Sequence, residues 1–307
     1  MGCDSIIQPE EMKSLIDTYL STIPSNACKT IAFFGGSFTG MPIEEQSRYL
    51  QVAYHYLSEG LVQRIQLSTR PDYISGPILD NLGKYGVKIV ELGAQSLHDK
   101  VLDFIGRGHT VQQVETAAGM IRDHGFELGL QMMIGLPSDT PQGAMETAKK
   151  IIALKAQNTR IYPTLVIKNT CLETLYRQGK YIPLTLDEAV DLSAQIYALF
   201  DRNNVKVLRV GLHPSEGLLN GESLVAGPFH VSFKELVLTK IWKEKFLQIP
   251  ENKQGRLLIK VSPQAINAAI GYGAENKKLL KTRFAEVQFV KDGQKENFEW
   301  NWQIEEI

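Results

Sequence analysis

The run Phe33-Phe34-Gly35-Gly36-Ser37-Phe38-Thr39-Gly40 follows an apolar stretch and precedes a helical pattern. Two successive glycines there let the backbone turn sharply and leave room for a ligand to approach the main chain. The same theme recurs downstream: Ser68-Thr69-Arg70-Pro71-Asp72, Gly93-Ala94-Gln95-Ser96 and Gly135-Leu136-Pro137 each close an apolar run. In a parallel barrel the C-terminal strand ends share one face, so these segments would converge on one cavity. Loops are polar and rich in glycine in any case, and a plain turn also accounts for the glycine pair. A different chemistry, proton transfer by Glu91 with His109, is open to an ordinary barrel enzyme. Metal chemistry finds little support within these residues. Cys3, Cys28 and Cys171 are odd in number and far apart, unlike a disulfide framework or a compact thiolate site, and the histidines, His213 and His230 included, lack ligand spacing.

The elements that must position these residues are legible from periodicity. Strands are expected at 30–34, 64–68, 87–92, 127–134, 160–166 and 205–210. Helices are expected at about 9–22, 43–59, 76–85, 111–124, 141–156 and 186–203, several opened by Pro or an acidic residue in the first turn. Alternating strand and helix is the pattern of a parallel sheet with right-handed crossovers. The series opens with a helix where a strand is expected. After about residue 250 the pattern changes to a small mixed α and β tail, giving an expected division into 1–250 and 251–307.

Bulk properties narrow the function classes. The chain has 307 residues and 43% apolar side chains, enough for one large core and a small appendage. Lys and Arg number 33 against 34 Asp and Glu, so the net charge of -1 supplies no global field for nucleic acid or an anionic membrane. No basic n-region precedes an apolar h-region, and no apolar stretch approaches membrane-spanning length. A cytoplasmic protein without membrane attachment is expected. The basic cluster Lys277, Lys278, Lys281 and Arg283 reads as a solvated helix face rather than a phosphate site.

The segments FFGGSFTG, STRPDYI, VELGAQS, GRGHT, QMMIGLP and RIYPTLVIKNTCLETLYRQGKY, in this order, resemble the radical-SAM domain of the catalytic subunit of Elongator. FFGG, GxQS, GRxHT and GLP are similar, more distantly, to oxygen-independent coproporphyrinogen oxidases. The resemblance covers about residues 28–240. It implies an α/β fold, a partial (β/α) barrel of TIM type, and two cofactors: S-adenosylmethionine and a 4Fe-4S cluster whose reduction releases a 5'-deoxyadenosyl radical. It also implies roles. Gly35, Gly36 and Ser37 would receive the methionine amino group through backbone carbonyls. Gln95 and Arg107 match positions that reach ribose and carboxylate, and an arginine fork suits a carboxylate. Gln131 would sit near the ribose hydroxyls, and Ser68 falls where the porphyrin enzymes carry a glutamate. The duller readings are a surface ion pair for Arg107, a satisfied barrel-end polar group for Gln95, packing for Met132 and Met133, and helix capping for His109 and Thr110. Tyr162, Pro163, Thr164 and Lys168 resemble the substrate-facing wall.

The sequence departs from that family where the cluster should be held. No CxxxCxxC precedes the first helix, and the expected cluster cysteines would lie upstream of Met1. Nor does the tail resemble an acetyltransferase domain. Three readings follow: a radical S-adenosylmethionine enzyme represented here without its cluster-binding segment, and so inactive in this form; a degenerate barrel that binds S-adenosylmethionine or a partner; and an unrelated barrel enzyme. The first carries further expectations of tRNA as a substrate, against a tetrapyrrole by the porphyrin likeness, and of flavodoxin or ferredoxin as electron donor.

Overall fold

The computed structural model describes residues 7–35 and 37–306, so Cys3 and Gly36 lie outside the described residues. Helix α1 (Pro9–Thr22) leads into β1 (Thr30–Phe33), α2 (Ile43–Ser58), β2 (Arg64–Thr69), α3 (Gly76–Lys84), β3 (Val87–Gln95), α4 (Asp99–Phe104), α5 (Val111–Asp123), β4 (Glu127–Ile134), α6 (Pro141–Ala153) and β5 (Asn158–Pro163). There follow β6 (Val166–Ile167), α7 (Cys171–Arg177), α8 (Leu186–Arg202), β7 (Lys206–Val210), α9 (Glu216–Leu219), β8 (Leu224–Ala226) and α10 (Phe233–Phe246). The chain ends with β9 (Asn252–Val261), α11 (Ile266–Ile270), α12 (Glu275–Lys281), β10 (Phe284–Lys291) and β11 (Trp300–Glu306). Six strands in the order β1-β2-β3-β4-β5-β7 form the parallel sheet of a partial (β/α) barrel, as the alternating pattern requires. The chain divides into two compact units: the described residues up to Arg160 with Asn203–Leu208, and Ile161–Arg202 with the residues from Arg209 onward.

In the first unit, period-two alternation sorts the strand residues onto two faces. Ile65, Leu67, Val90, Leu92, Leu128 and Leu130 are wholly or almost wholly buried, as are Leu50, Ala53, Leu79, Leu82, Val114 and Ile121 of the helices packed over the sheet. Burial of each large aliphatic stabilises the unit by about 1.5–3 kcal/mol. Local chemistry sets the helix starts. Pro9 and Pro141 sit in the first turns of α1 and α6, and Thr110 caps α5 in a capping box with Gln113. The register aligns Ser68 with Glu91 and Glu91 with Gly129, so one row crosses β2, β3 and β4 on the face opposite the aliphatic core. Strand β1 lies at the sheet's edge, and a largely apolar cavity of about 910 Å³ runs along it, lined by Leu15, Tyr19 and Ile23 and by Ile31, Phe33 and Phe34.

The second unit contains a three-stranded sheet with β9 central, parallel to β10 and antiparallel to β11. Trp242, Phe246, Leu257, Ile259, Val261, Leu280 and Phe284 fill its core. This is the small α+β appendage expected from the tail. Two expectations need correction. The run 160–166 is not one strand: β5 ends at Pro163 and the two-residue β6 pairs instead with β8. Helix α10 was not anticipated, because its buried residues form no single stripe: Phe233, Val237, Thr239, Ile241, Trp242 and Phe246 occupy several faces. Among the described residues no helix is long and apolar enough to cross a membrane.

Candidate functional site

The inward row of the first unit is polar where its outward neighbours are aliphatic. Glu91 is 1% exposed, and its carboxylate accepts four hydrogen bonds. Arg160 forks onto it, Nε to Oε2 at 2.7 Å and Nη2 to Oε1 at 2.9 Å. Gln131 Nε2 donates to Glu91 Oε2 at 2.9 Å and to Ser68 Oγ at 3.1 Å, and Gln66 Nε2 donates to the remaining side of the carboxylate. The Arg160 guanidinium lies 4.8 Å from the centroid of the Phe34 ring, which is 50% exposed. Glycine makes room for this cluster: a Cβ at Gly129 would lie 2.6 Å from Glu91 Cγ and would also strike Asn158 Oδ1. Ser68 and Gln131, predicted separately, are thus in direct contact.

A second group forms at the end of β3. Its register shifts between Leu92 and Gln95, and Gln95 takes a left-handed backbone with φ of 65°. Such a conformation is costly for a residue with a Cβ and turns the side chain away from the regular ladder. A Cβ at Gly93 would lie 2.9 Å from Gln95 Nε2 and 3.0 Å from Arg107 Nη2, so glycine allows both side chains to close over the strand end. Arg107 donates to Gly93 O at 3.4 Å, and its Nε is buried without a partner among the described residues. Burial, then the nearby Arg70 charge, pulls the Arg107 guanidinium below its ordinary pKa. Arg70 itself is committed to Asp72, Nε to Oδ1 at 2.9 Å and Nη2 to Oδ2 at 2.7 Å. Among the described residues Arg107 forms no ion pair, unlike the surface-pair reading, and a buried guanidinium with an orphaned donor suits an anion.

The glycine loop completes the strand-end face. Gly35 has φ of 104°, a region glycine occupies without strain, and half-buried Ser37 precedes the short turn Phe38–Gly40. The hydroxyls of Thr39 and Thr69 meet at 2.6 Å, tying this loop to the end of β2.

The acid–base pairing of Glu91 with His109 is overturned. Glu91 is occupied by Arg160 and two carboxamides, while His109 Nε2 donates to Ala94 O at 3.4 Å and burial holds its pKa below the usual imidazole value. Thr110 is a cap, as its duller reading held, whereas His109 is not. Met132 is fully buried and packs. Tyr162 and Pro163 end β5, Thr164 is buried, and the Lys168 backbone bonds to Ser223 O. Arg283 does not share a solvated face with the α12 lysines: it donates to Phe246 O at 2.9 Å and to Ile249 O at 2.5 Å, satisfying carbonyls at the end of α10. Sequence reasoning missed Arg160 and Gln66. The signal was present as polar residues at every second position of otherwise aliphatic strands.

The described residues do not fit a three-thiolate cluster. Cys28 and Cys171 are free and exposed, Cys28 lies ahead of β1 and so at the opposite strand end from the polar groups, and no three described His, Cys, Asp or Glu side chains converge on a metal position. S-adenosylmethionine fares differently: an orphaned guanidinium donor and half-exposed carboxamides are groups an amino acid and a ribose require.

A partial parallel barrel with a polar inner row and glycine-rich strand ends defines a class of barrels that bind small molecules at the C-terminal strand face. The radical SAM superfamily model matches residues 4–151, and the radical SAM C-terminal domain model matches residues 156–243. The chain belongs to the radical SAM superfamily. It is 34% identical over 162 residues to the uncharacterized protein MJ0486 of Methanocaldococcus jannaschii, covering 52% of this chain and 49% of that one. Elongator complex protein 3 of Saccharomyces cerevisiae is 31% identical over 185 residues, covering 54% of this chain and 33% of that one. The tRNA uridine(34) acetyltransferase of M. jannaschii is 32% identical over 129 residues, 41% of this chain and 24% of that one. The chain therefore spans half or less of the length of these relatives. The structure of Methanocaldococcus infernus Elp3 with an N-terminal deletion shares the fold, with a TM-score of 0.67 and 22% identity over 79% of this chain and 60% of that one.

Proposed function

We propose that this chain provides the S-adenosylmethionine-binding barrel of a radical SAM enzyme of the Elongator type. The observation that carries the reading is the convergence of Arg107, Gln95 and Gly93 at one strand end, with an unpartnered buried guanidinium donor. In this reading Arg107 forks onto the ligand carboxylate, the carbonyls of Gly35 and Gly36 and the adjoining Ser37 receive the amino group, and Gln95, Ser68 and Gln131 address the ribose. S-adenosylmethionine supplies the sulfonium that the family cleaves reductively. The chain's own part is to fix both ends of that molecule and keep its reactive carbon out of water. The 4Fe-4S cluster calls for ligands beyond the described residues. A tRNA substrate, in keeping with the activity of the tRNA uridine(34) acetyltransferase relative, and a flavodoxin or ferredoxin donor belong to the whole enzyme, as does a cytoplasmic location. The division into a barrel of residues 1–250 and an appendage of residues 251–307 belongs to the same reading.

A second reading, a barrel that binds S-adenosylmethionine without cleaving it, rests on the same binding groups. Calorimetry with S-adenosylmethionine, and with Arg107→Ala alongside, tests what the two share. Weak but saturable binding is expected, reduced at least about tenfold by the substitution, as removal of a charged bidentate contact implies. No binding up to millimolar ligand, or binding indifferent to Arg107, rejects both. Reading the coding frame upstream of Met1 for a CxxxCxxC then separates them: its presence supports the enzyme, and a frame without it supports the barrel that binds without cleaving.

A further inference from the structure

We propose that Glu91, clamped by Arg160, is a positioning residue that decides which end of the Gln131 carboxamide faces a ligand. A carboxylate paired with an always-protonated guanidinium only accepts hydrogen bonds, so the end of Gln131 turned toward it is the NH2 group. Both protons of that group are used, one on Glu91 Oε2 at 2.9 Å and one on Ser68 Oγ at 3.1 Å. The Oε1 atom accepts no bond among the described residues and belongs to a half-exposed side chain. Ser68, having accepted from Gln131, keeps its own proton to donate. The inner face therefore offers an acceptor and a donor side by side, the complement of a vicinal diol, in which one hydroxyl donates and its neighbour accepts.

A glutamine amide in isolation flips freely between its two senses. Here the flip would set the Gln131 carbonyl against the buried Glu91 carboxylate, acceptor against acceptor, and would cost Glu91 one of its four hydrogen bonds. Glu91 is held from the other side by Arg160 and Gln66, so it cannot swing away to accommodate that state. Register supports the arrangement: Ser68 and Glu91 are neighbours across β2 and β3, and the missing Cβ at Gly129 leaves the space in which the carboxylate sits.

The inference rests on the reading in which Gln131 and Ser68 address a ribose, and its test separates the two. In the wild-type chain, the Gln131 side-chain amide protons, assigned by their loss in Gln131→Met, should exchange with solvent at least about tenfold more slowly than those of exposed Gln51. Exchange as fast as at Gln51 overturns the proposal with no ligand involved. Calorimetry with adenosine and with 2',3'-dideoxyadenosine should give the wild type about a tenfold preference for adenosine, the worth of about one charge-free hydrogen bond pair. Glu91→Gln should abolish that preference while leaving dideoxyadenosine binding unchanged; a purely structural role would weaken both alike, and a retained preference overturns the proposal. If Glu91→Gln fails to fold, the charge-neutral pair Glu91→Gln with Arg160→Gln carries the same expectation. If the wild type binds neither nucleoside, the ribose reading fails, and the exchange measurement alone decides the role of Glu91.

Discussion

At the scale of single residues, the site is a set of committed and uncommitted polar atoms. Arg70 is spent on Asp72 and Arg160 on Glu91, while Arg107 retains a buried donor. That difference, invisible in a list of arginines, is why Arg107 is the residue proposed to take the ligand carboxylate. His109 carries a second residue-level consequence. Burial, partly offset by its bond to Ala94 O, lowers its folded pKa below the unfolded value of about 6.5. The unfolded chain then binds more protons in that interval, so this contribution to stability is complete above about pH 6.5 and is lost as pH falls toward the folded pKa. Urea titrations at pH 7.5 and 5.5 should show the wild type losing more stability on acidification than His109→Gln. Equal losses would mean that the imidazole is not held neutral.

At the scale of elements, each strand serves two masters. β2, β3 and β4 bury aliphatic residues under helices on one face and carry Ser68, Glu91 and Gln131 on the other. The inner row fits only because alternate positions are small. Gly129→Ala should therefore destabilise the chain by about 1–3 kcal/mol, as overpacking does, through displacement of Glu91 and Asn158. Thermal melts check the magnitude, and S-adenosylmethionine calorimetry on the folded variant should show weakened binding as well. By contrast Gly119, a helical glycine with open space around its Cβ position, should accept Ala with no loss and a gain of up to about 1 kcal/mol.

At the scale of the whole molecule, two compact units each carry their own core, and their stabilities can be addressed one at a time. Trp242 and Phe246 have ring centroids 5.5 Å apart, and both are wholly buried with the strands of the three-stranded sheet. Trp242→Ala should cost about 3–5 kcal/mol and Trp242→Phe markedly less, because phenylalanine refills most of the volume and removes an indole N–H that has no partner. Hydrogen exchange, which resolves the units separately, should show the loss concentrated in the second unit, Ile161–Arg202 and the residues from Arg209 onward. Protection lost equally throughout would indicate a single cooperative core.

Local chemistry determined much of this protein without reference to the rest. Helix starts at Pro9, Val111 and Pro141 and the strand at 127–134 agree with expectation because prolines, caps and hydrophobic periods act within a few residues of themselves. The strand-end motifs and their order likewise sufficed to identify the superfamily and the partial barrel. What only the tertiary structure decided are pairings between distant groups. Glu91 and Arg160 are 69 positions apart, and by sequence Glu91 pairs with His109 as an acid–base candidate while Arg160 draws no role; Arg283 reads as part of a basic patch until its guanidinium is seen on the carbonyls of Phe246 and Ile249. Helix α10 escaped notice because a helix buried on several sides has no amphipathic stripe to reveal it. Periodicity reports which face of an element is wet. It does not report which partner waits on the other side, and at this site the partner decides whether a polar atom is already satisfied or still available to a ligand.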